Sequence, residues 1–124
     1  MKDFFISTRE ESPAWVVELG GYLDAHTAPQ LEQTFQDMLE RERYRIVVDF
    51  NQLDYISSAG LGVFMAFIED VRENQGDIKL AGMTPKVFNV FDLLGFPMLY
   101  EIYDHRAEAL NKFTEKVEDS TAGS

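Results

Sequence analysis

The feature that most constrains the fold is the alternation of strand-like and helix-like segments along the chain. Runs rich in Val, Ile and aromatic residues are followed by segments whose apolar residues recur every three or four positions, with short Gly-, Pro-, Asn- or Asp-containing turns between them. In order, the segments read ββ(β)αβαβαβα. Strands that alternate with helices favour right-handed crossovers. The pattern therefore predicts an α/β domain with a mixed sheet of four to five strands and about four helices.

Five strand-like segments are predicted, at residues 4–9, 14–19, 45–50, 78–81 and 99–103. The Gly20-Gly21 pair is expected to break the second strand, with a brief continuation at Tyr22-Leu23. The third segment has the β-branched composition of a strand that is buried on both faces. Residues 51–57 are interpreted as a loop that leads from this strand into a helix.

Four helices are predicted, at residues 28–43, 58–73, 84–94 and 106–117. Thr27 resembles a helix N-cap, and Gln30 stands where it would complete a capping box. Thr84-Pro85 is expected to open the third helix, and Gly95 to end it. The second helix is apolar nearly all round over residues 61–68. Such a helix is either central or presents an apolar face to a partner.

Length and composition indicate one soluble domain over residues 1–117, followed by a small polar tail, 118–124, that is expected to fray. The longest uninterrupted apolar run, 63–68, is far shorter than the roughly 20 residues needed to span a bilayer. The N-terminus lacks the features of a signal peptide. The absence of cysteine excludes disulfides, thiolate zinc sites and cysteine nucleophiles. A cytoplasmic location is predicted.

The charge balance restricts the class of partner. The chain carries 22 acidic and 11 basic side chains, for a formal net charge of −11. Proteins bind nucleic acid largely through Lys and Arg on the phosphates, so no nucleic-acid partner is predicted. An anionic membrane surface is disfavoured for the same reason. A basic protein partner is compatible with this charge, although acidity by itself usually reflects solubility.

A serine hydrolase is the first enzyme class to consider, because Ser58 lies between a strand and a helix and is followed by Ala59-Gly60. The nucleophile elbow requires G-x-S-x-G, and position 56 is Ile. Only His26 and His105 are available as a general base. Half of the motif and two isolated histidines do not make a catalytic triad, and no catalytic residue is predicted.

Cofactor and metal sites are also disfavoured. Gly60-Leu61-Gly62 begins like the dinucleotide-binding pattern, but Met65 occupies the position of its third glycine. A simpler interpretation is close backbone packing at a helix start. Two distant histidines offer no metal-ligand spacing. Asp49 and Asp54 flank the predicted loop and are more simply solvated carboxylates than cation ligands. No cofactor and no metal are predicted.

Two hydroxyl side chains, Ser57 and Ser58, stand where the second helix begins. One interpretation is N-capping, in which a serine side chain accepts a hydrogen bond from an unsatisfied backbone N–H. The other is a phosphate acceptor. A phosphate at this place would meet free N–H groups and the positive end of the helix dipole, while adding about −1.5 to −2 charges. The residue types alone leave both interpretations open.

Three stretches of the chain together resemble one family. Gly21-Tyr22-Leu23-Asp24 and the helix start after it resemble a Gly-x-Leu-Asp motif. Residues 46–62, with Val-Val-Asp-Phe and then Ile-Ser-Ser-Ala-Gly-Leu-Gly, resemble a central strand and a phosphoacceptor loop. Residues 87–96 resemble a third helix. In this order and spacing the chain is similar, over about residues 4–116, to STAS domains and among them to the bacterial anti-sigma factor antagonists.

The resemblance implies a phosphorylation switch. The family pattern Asp-Ser-Ser/Thr-Gly places the acceptor on Ser58, with Ser57 in the acidic position and Ala59 in the small-residue position. The unphosphorylated protein would bind an anti-sigma factor with a GHKL-type serine kinase fold, which frees a sigma factor and so regulates transcription. That kinase would use ATP to phosphorylate Ser58 and end the complex. A metal-dependent serine phosphatase would restore it.

The partner-binding surface implied by the resemblance comprises Asp24, His26, Thr27, Ser57, Ser58, Ala59, Gly60, Leu61 and Gly62. Asp24 matches the family's acidic residue beside the acceptor, with an ordinary turn aspartate as the alternative. Ser57 replaces the acidic residue of the family and is a second candidate acceptor. Tyr22 replaces a more common polar residue. The alternative function is a STAS module that senses a small ligand, held by helix 61–68, or that scaffolds a complex without phosphorylation.

Overall fold

The protein folds around one mixed five-stranded sheet. The computed structural model describes residues 3–122, with side chains through residue 114. The strands are β1 (Phe5–Glu11), β2 (Ala14–Leu23), β3 (Arg45–Ile56), β4 (Asp77–Ala81) and β5 (Ile102–Tyr103). They lie in the order β1-β2-β3-β4-β5, with β1 antiparallel to β2 and the remaining pairs parallel. The predicted α/β fold with a mixed sheet is confirmed.

Four α-helices cover the sheet: α1 (Ala28–Glu40), α2 (Ser58–Glu73), α3 (Pro85–Leu93) and α4 (Arg106–Ala122). Helices α1, α2 and α3 share one large apolar core with one face of the sheet, and α4 packs on the other face. Successive side chains of β2 point to opposite faces of the sheet, so this strand contributes to both cores: Val17 lies in the large core and Val16 in the small one. Within the described residues, no helix is both long and apolar enough to cross a bilayer.

The large core is built around aromatic side chains. Phe64 of α2 lies with its ring centroid 5.7 Å from that of Phe35, 5.8 Å from that of Phe50 and 6.0 Å from that of Phe91. All four rings are fully buried. Two of these contacts are edge-to-face, an arrangement that aromatic rings prefer, and the contact with Phe50 is tilted. They hold α1, β3, α2 and α3 together, so that the start of α2 has a fixed position over the sheet.

The predicted loop at residues 51–57 is wrong, because β3 continues through Ile56. Its second half pairs in parallel with β2, with Gln52 opposite Gly20 and Ile56 opposite Leu23. The register shifts twice along this pairing, as at β-bulges. Phe50, Leu53 and Ile56 are all buried in the same core, at a spacing of three. A bulged strand lacks the two-residue alternation by which strands are recognised in a sequence.

The predicted break at Gly20-Gly21 is also wrong, since β2 is continuous through Leu23. Both glycines permit the strand to continue at this point. The ring of Phe5 occupies the space that a Cβ at Gly20 would need, and Gly21 has a φ of +81°, in the left-handed region that favours glycine. Glycine at this point of β2 therefore reflects close packing against β1 rather than the end of a strand.

Several element ends differ from the predictions. Helix α1 ends at Glu40 rather than near residue 43, and the guanidinium of Arg43 lies 3.6 Å from the centre of the Trp15 ring. The last strand is only Ile102–Tyr103 rather than 99–103, because the N–H groups of Leu99 and Tyr100 bond the carbonyl oxygen of Phe96 at the end of a 3-10 helix, Phe96–Met98. The starts and ends of α3 match the prediction: Thr84 accepts a hydrogen bond from Val87 N–H, and Gly95 has a φ of +77°.

The last helix is longer than the predicted segment 106–117. Helix α4 extends through Ala122, and residues 123–124 lie outside the described residues. The fraying of segment 118–124 stays a prediction.

Candidate functional site

The ends of β2 and β3 bring two loops to the same edge of the sheet. Leu23 and Ile56 are paired at these ends, and the backbone N–H of Ser57 donates a 2.9 Å hydrogen bond to the carbonyl oxygen of Leu23. The loop that begins at Asp24 therefore lies beside the start of α2. Carboxyl ends of parallel strands are where open α/β sheets place their binding sites.

Ser58 is the first residue of α2 and is exposed. Ser57 precedes it in an extended conformation, with φ −103° and ψ 174°, and its carbonyl accepts a 3.1 Å hydrogen bond from Leu61 N–H. Ser57 thus occupies the N-cap position, and Ser58 opens the helix where the first N–H groups have no intrahelical acceptor. A hydroxyl at this place is accessible to another protein.

Ser57 does not cap the helix with its side chain. Its Oγ is buried and has no hydrogen-bond partner within the described part of the chain. The capping interpretation is therefore wrong for the Ser57 side chain, although its backbone is in the N-cap conformation. A buried hydroxyl is also a poor acceptor for a kinase, and this distinguishes Ser57 from the exposed Ser58.

Asp24 and Thr27 interlock in the neighbouring loop. The Oδ1 of Asp24 accepts hydrogen bonds from the backbone N–H groups of His26 (2.9 Å) and Thr27 (3.2 Å). The Oγ1 of Thr27 accepts from Asp24 N–H and donates to the carbonyl oxygen of Tyr22, both at 2.9 Å. These bonds hold the loop in one shape beside Ser58.

The predicted capping box at the start of α1 is wrong. Thr27 does occupy the N-cap position, but its side chain makes no capping hydrogen bond in the described structure, because its hydroxyl bonds Asp24 N–H and the Tyr22 carbonyl instead. Asp24 is accordingly a turn aspartate in its hydrogen bonding. Because the Asp24 loop lies next to the acceptor loop, its position also agrees with the acidic residue that the family has beside the acceptor.

The predicted surface residues divide into exposed and buried groups. His26, Ser58, Ala59 and Gly62 are exposed, and Asp24, Thr27 and Ser57 are half-buried. Leu61 is only 3% exposed, and Gly60 is buried. Since a Cβ at Gly60 would lie 2.8 Å from Leu23 Cγ and 3.0 Å from Ile56 Cγ1, that glycine permits α2 to pack on the sheet. Gly60 and Leu61 therefore support the site from inside.

An aromatic pair next to the site was not found by the sequence reasoning. Tyr22 and Tyr55 are paired across β2 and β3, their ring centroids are 5.6 Å apart, and they are 41% and 39% exposed. They precede Asp24 and Ser57 by two residues each. The sequence indicates Tyr22 as a short strand continuation and as a departure from a family pattern, but it does not indicate an aromatic partner. Its pairing with Tyr55 depends on the bulged register of β3, which has no local sequence signal.

Asp49, one of the two carboxylates considered as cation ligands, is engaged by a backbone N–H and an arginine. Asp49 Oδ1 accepts a 2.9 Å hydrogen bond from Asn51 N–H, and its Oδ2 lies 3.4 Å from Arg106 Nη1. The same guanidinium nitrogen lies 3.4 Å from Glu18 Oε1. Among the residues that the structure describes, no group of three or more His, Asp or Glu side chains is placed to hold a metal ion.

The comparison with known families decides the family. The family model of the STAS domain matches residues 5–109, which is most of the chain. This protein belongs to the STAS domain family. The fold and the three motif stretches identified in the sequence agree with that membership.

Relatives with similar sequences have names that concern sigma-factor regulation. BtrV, a candidate anti-sigma factor antagonist of Bordetella bronchiseptica, is 34% identical over 95 residues, covering 77% of this chain and 82% of the relative. The anti-sigma-B factor antagonist of Listeria monocytogenes is 28% identical over 90 residues, covering 73% of this chain and 79% of the relative.

Solved structures of a Bacillus protein share the fold of this STAS domain. The anti-sigma factor antagonist SpoIIAA in its unphosphorylated form has a TM-score of 0.79 at 19% identity, covering 90% of this chain and 97% of that chain. SpoIIAA in its phosphorylated form has a TM-score of 0.69 at 20% identity, covering 90% and 99%.

Proposed function

We propose that this STAS domain protein is an anti-sigma factor antagonist whose binding to its partner is switched off by phosphorylation of Ser58. The observation that carries the proposal is the position of Ser58, which is exposed at the first position of α2, beside the Asp24 loop. The names of the relatives support the class of partner. The phosphorylated SpoIIAA structure supports a phosphorylated state for this fold.

The switch is electrostatic and steric. The kinase transfers the γ-phosphoryl group of ATP to Ser58 Oγ, which releases ADP and the hydroxyl proton, and the phosphatase hydrolyses the ester to serine and inorganic phosphate. The unsatisfied N–H groups of the first turn and the helix dipole stabilise the phosphate, so the fold tolerates it. A partner surface fitted to a neutral hydroxyl would face about −1.5 to −2 new charges.

The proposed partners follow from the switch. The anti-sigma factor would have a GHKL-type serine kinase fold, so that the protein it binds is also its substrate, and a metal-dependent serine phosphatase would restore the binding form. Release of the sigma factor would then regulate transcription. The proposal includes a cytoplasmic location, where ATP and the transcription machinery are present. The protein itself would be a binding protein rather than an enzyme.

The proposal is tested by incubating the protein with ATP and each GHKL-type serine kinase of its source organism, purified singly, and mapping phosphate by mass spectrometry. We expect one kinase to bind the unmodified protein and to phosphorylate Ser58. Ser58→Ala should abolish incorporation, whereas the matched Ser57→Ala variant should retain it. Equal labelling of Ser58→Ala and wild type would overturn the site. If no kinase binds the wild-type protein, the proposed function is wrong.

A further inference from the structure

Exposed apolar side chains are concentrated on α3 and on the 3-10 helix that follows it. Met98 is 89% exposed and Leu93 is 84% exposed, the two highest values among the large hydrophobic residues that the structure describes. Phe88, Leu94 and Leu99 are exposed in the same short segment, 88–99. These five residues are called the α3 face below. Exposed apolar patches of this kind mark interaction surfaces in soluble proteins.

A pocket opens at the other end of α3. It has a volume of about 330 Å³ and is lined by Met83, Pro85, Phe88, Ile102, Tyr103 and Asp104. Pro85 is the first residue of α3, and Leu93 is its last. The helix therefore has a largely apolar pocket at its N-terminal end and protruding apolar side chains at its C-terminal end. Two such helices that pair antiparallel place the protruding end of each against the pocket of the other.

The charges of this segment are balanced. Lys86 and Asp92 are the only charged residues within 84–100, in a chain with a net charge of −11. Both are exposed, and neither takes part in an ion pair among the described residues. A basic partner would be recognised by an excess of carboxylates, which this segment lacks.

The balanced charges instead complement a second copy of the same segment. Lys86 and Asp92 lie at equal distances along the chain on either side of Asn89, which is exposed as well. An antiparallel pair of α3 helices centred on Asn89 therefore brings Lys86 of each copy level with Asp92 of the other. The same pairing brings Leu93 of each copy level with Pro85 at the other's pocket.

We infer that the α3 face binds a second copy of this chain, in a two-fold symmetric dimer whose α3 helices are antiparallel. Leu93 and Met98 of each copy cover the pocket beside Pro85 of the other, and two pairs of Lys86 with Asp92 form across the axis. The same residues serve on both sides of such a contact, so the assembly closes as a dimer and does not extend into a filament. The inference is independent of Ser58 and goes beyond the proposed function.

Sedimentation equilibrium of the purified wild-type protein, with no kinase present, measures the self-association. We expect a species of twice the chain mass of 14.2 kDa to be populated at about 0.1 mM. Since two copies with a net charge of −11 repel each other, the dimer should tighten about threefold or more between about 0.05 M and about 0.5 M salt. A protein that is still monomeric at about 0.5 mM in the higher salt would overturn the inference.

Two methionines permit a matched test of the surface. Met98 belongs to the α3 face, whereas Met65 is exposed on α2, outside that face. We expect Met98→Gln to weaken dimerisation about fivefold or more, because a polar side chain replaces one that is covered in the dimer. Met65→Gln should change it less than about twofold. Equal dissociation constants for the two variants would contradict the assigned surface.

Charge reversal tests the antiparallel arrangement. Lys86→Glu and Asp92→Lys each place like charges at both symmetry-related contacts, so each should weaken self-association about threefold or more. An equimolar mixture of the two variants has opposite charges at both contacts. We expect this mixture to associate about tenfold more tightly than either variant alone. A mixture that associates no better than its components would overturn the arrangement, and both substitutions are at exposed positions where folding is not at stake.

The inference and the proposed function can fail separately, because self-association is measured on the protein alone. If the wild-type protein is monomeric while a kinase still phosphorylates Ser58, the dimer is wrong and the switch stands. If the wild-type protein dimerises through the α3 face but binds no kinase, the dimer stands and the proposed function is wrong.

Discussion

The hydrogen bond from Ser57 N–H to the carbonyl oxygen of Leu23, at 2.9 Å, joins the two loops of the candidate site. Leu23 precedes Asp24, and Ser57 precedes Ser58, so one backbone bond holds the predicted acidic residue and the predicted acceptor on adjacent strand ends. The bond flanks the last residue pair of the parallel pairing of β2 and β3, Leu23 and Ile56. The site is thus an extension of the sheet itself.

Ser58→Asp should weaken binding to the kinase partner at least tenfold, because a charge introduced into a fitted interface must be desolvated or repelled. Ser58→Ala should retain wild-type affinity within about threefold, since the neutral state is the binding state. Titration calorimetry with ADP present measures both. Ser12→Asp, an exposed serine in the turn at the opposite edge of the sheet, is the control for added charge. Equal losses in the two Asp variants would contradict a local switch.

Thr27→Val should destabilise the protein by about 1–2 kcal/mol, because it removes the hydroxyl that bonds both Asp24 N–H and the Tyr22 carbonyl. Urea unfolding measures the difference. Thr34→Val is the matched control: its hydroxyl donates to the Gln30 carbonyl within α1, and a change below about 0.5 kcal/mol is expected. Equal stability of the two variants would contradict a stabilising role of the Thr27 hydroxyl in this loop.

Gly60→Ala should destabilise the protein by about 1–3 kcal/mol, because its Cβ would lie 2.8 Å from Leu23 Cγ and α2 would have to move away from the sheet. Gly62→Ala, two residues along the same helix, should instead stabilise it by up to about 1 kcal/mol. Thermal and urea unfolding of the pair provide the comparison. The free energy of unfolding should change with opposite sign in the two variants. A decrease of similar size in both would show that α2 is packed differently.

Tyr100→Phe should leave stability unchanged or raise it by up to about 1 kcal/mol at neutral pH, because the Tyr100 hydroxyl is buried and has no hydrogen-bond partner among the described residues. Burial also raises the pKa of Tyr100, an effect that the nearby Arg72 partly opposes. The folded protein therefore holds this proton more tightly than the unfolded chain. Tyrosine ionisation should then reduce wild-type stability above about pH 10.

Unfolding by urea between about pH 8 and pH 11 checks that prediction. The stability of wild type should fall more steeply than that of Tyr100→Phe as the pH rises, since phenylalanine has no proton to lose. Parallel profiles over this range would contradict it. The variant keeps the ring that stacks on Phe96, with centroids 5.4 Å apart, so the comparison isolates the hydroxyl.

Sequence reasoning succeeded where the signal is local. Thr84 and Gly95 mark the ends of α3, and both positions have the capping and left-handed geometry that their residue types predict. It failed at residues 51–56 and at Gly20-Gly21, where glycine and irregular apolar spacing resemble a loop. There the pairing of β2 with β3 overrides local preference, and bulges change which residues face the core.

By itself, the sequence determined the α/β class, the order of the elements and the serine pair at a helix start, because hydrophobic periodicity and turn residues act over a few positions. Only the tertiary structure decided that the Ser57 hydroxyl is buried and Ser58 exposed, that Tyr22 meets Tyr55, and that Gly62 lines a groove between α1 and α2. Each of these depends on contacts between segments distant in the chain. Local sequence preferences do not specify such contacts, because these contacts form only when the sheet assembles.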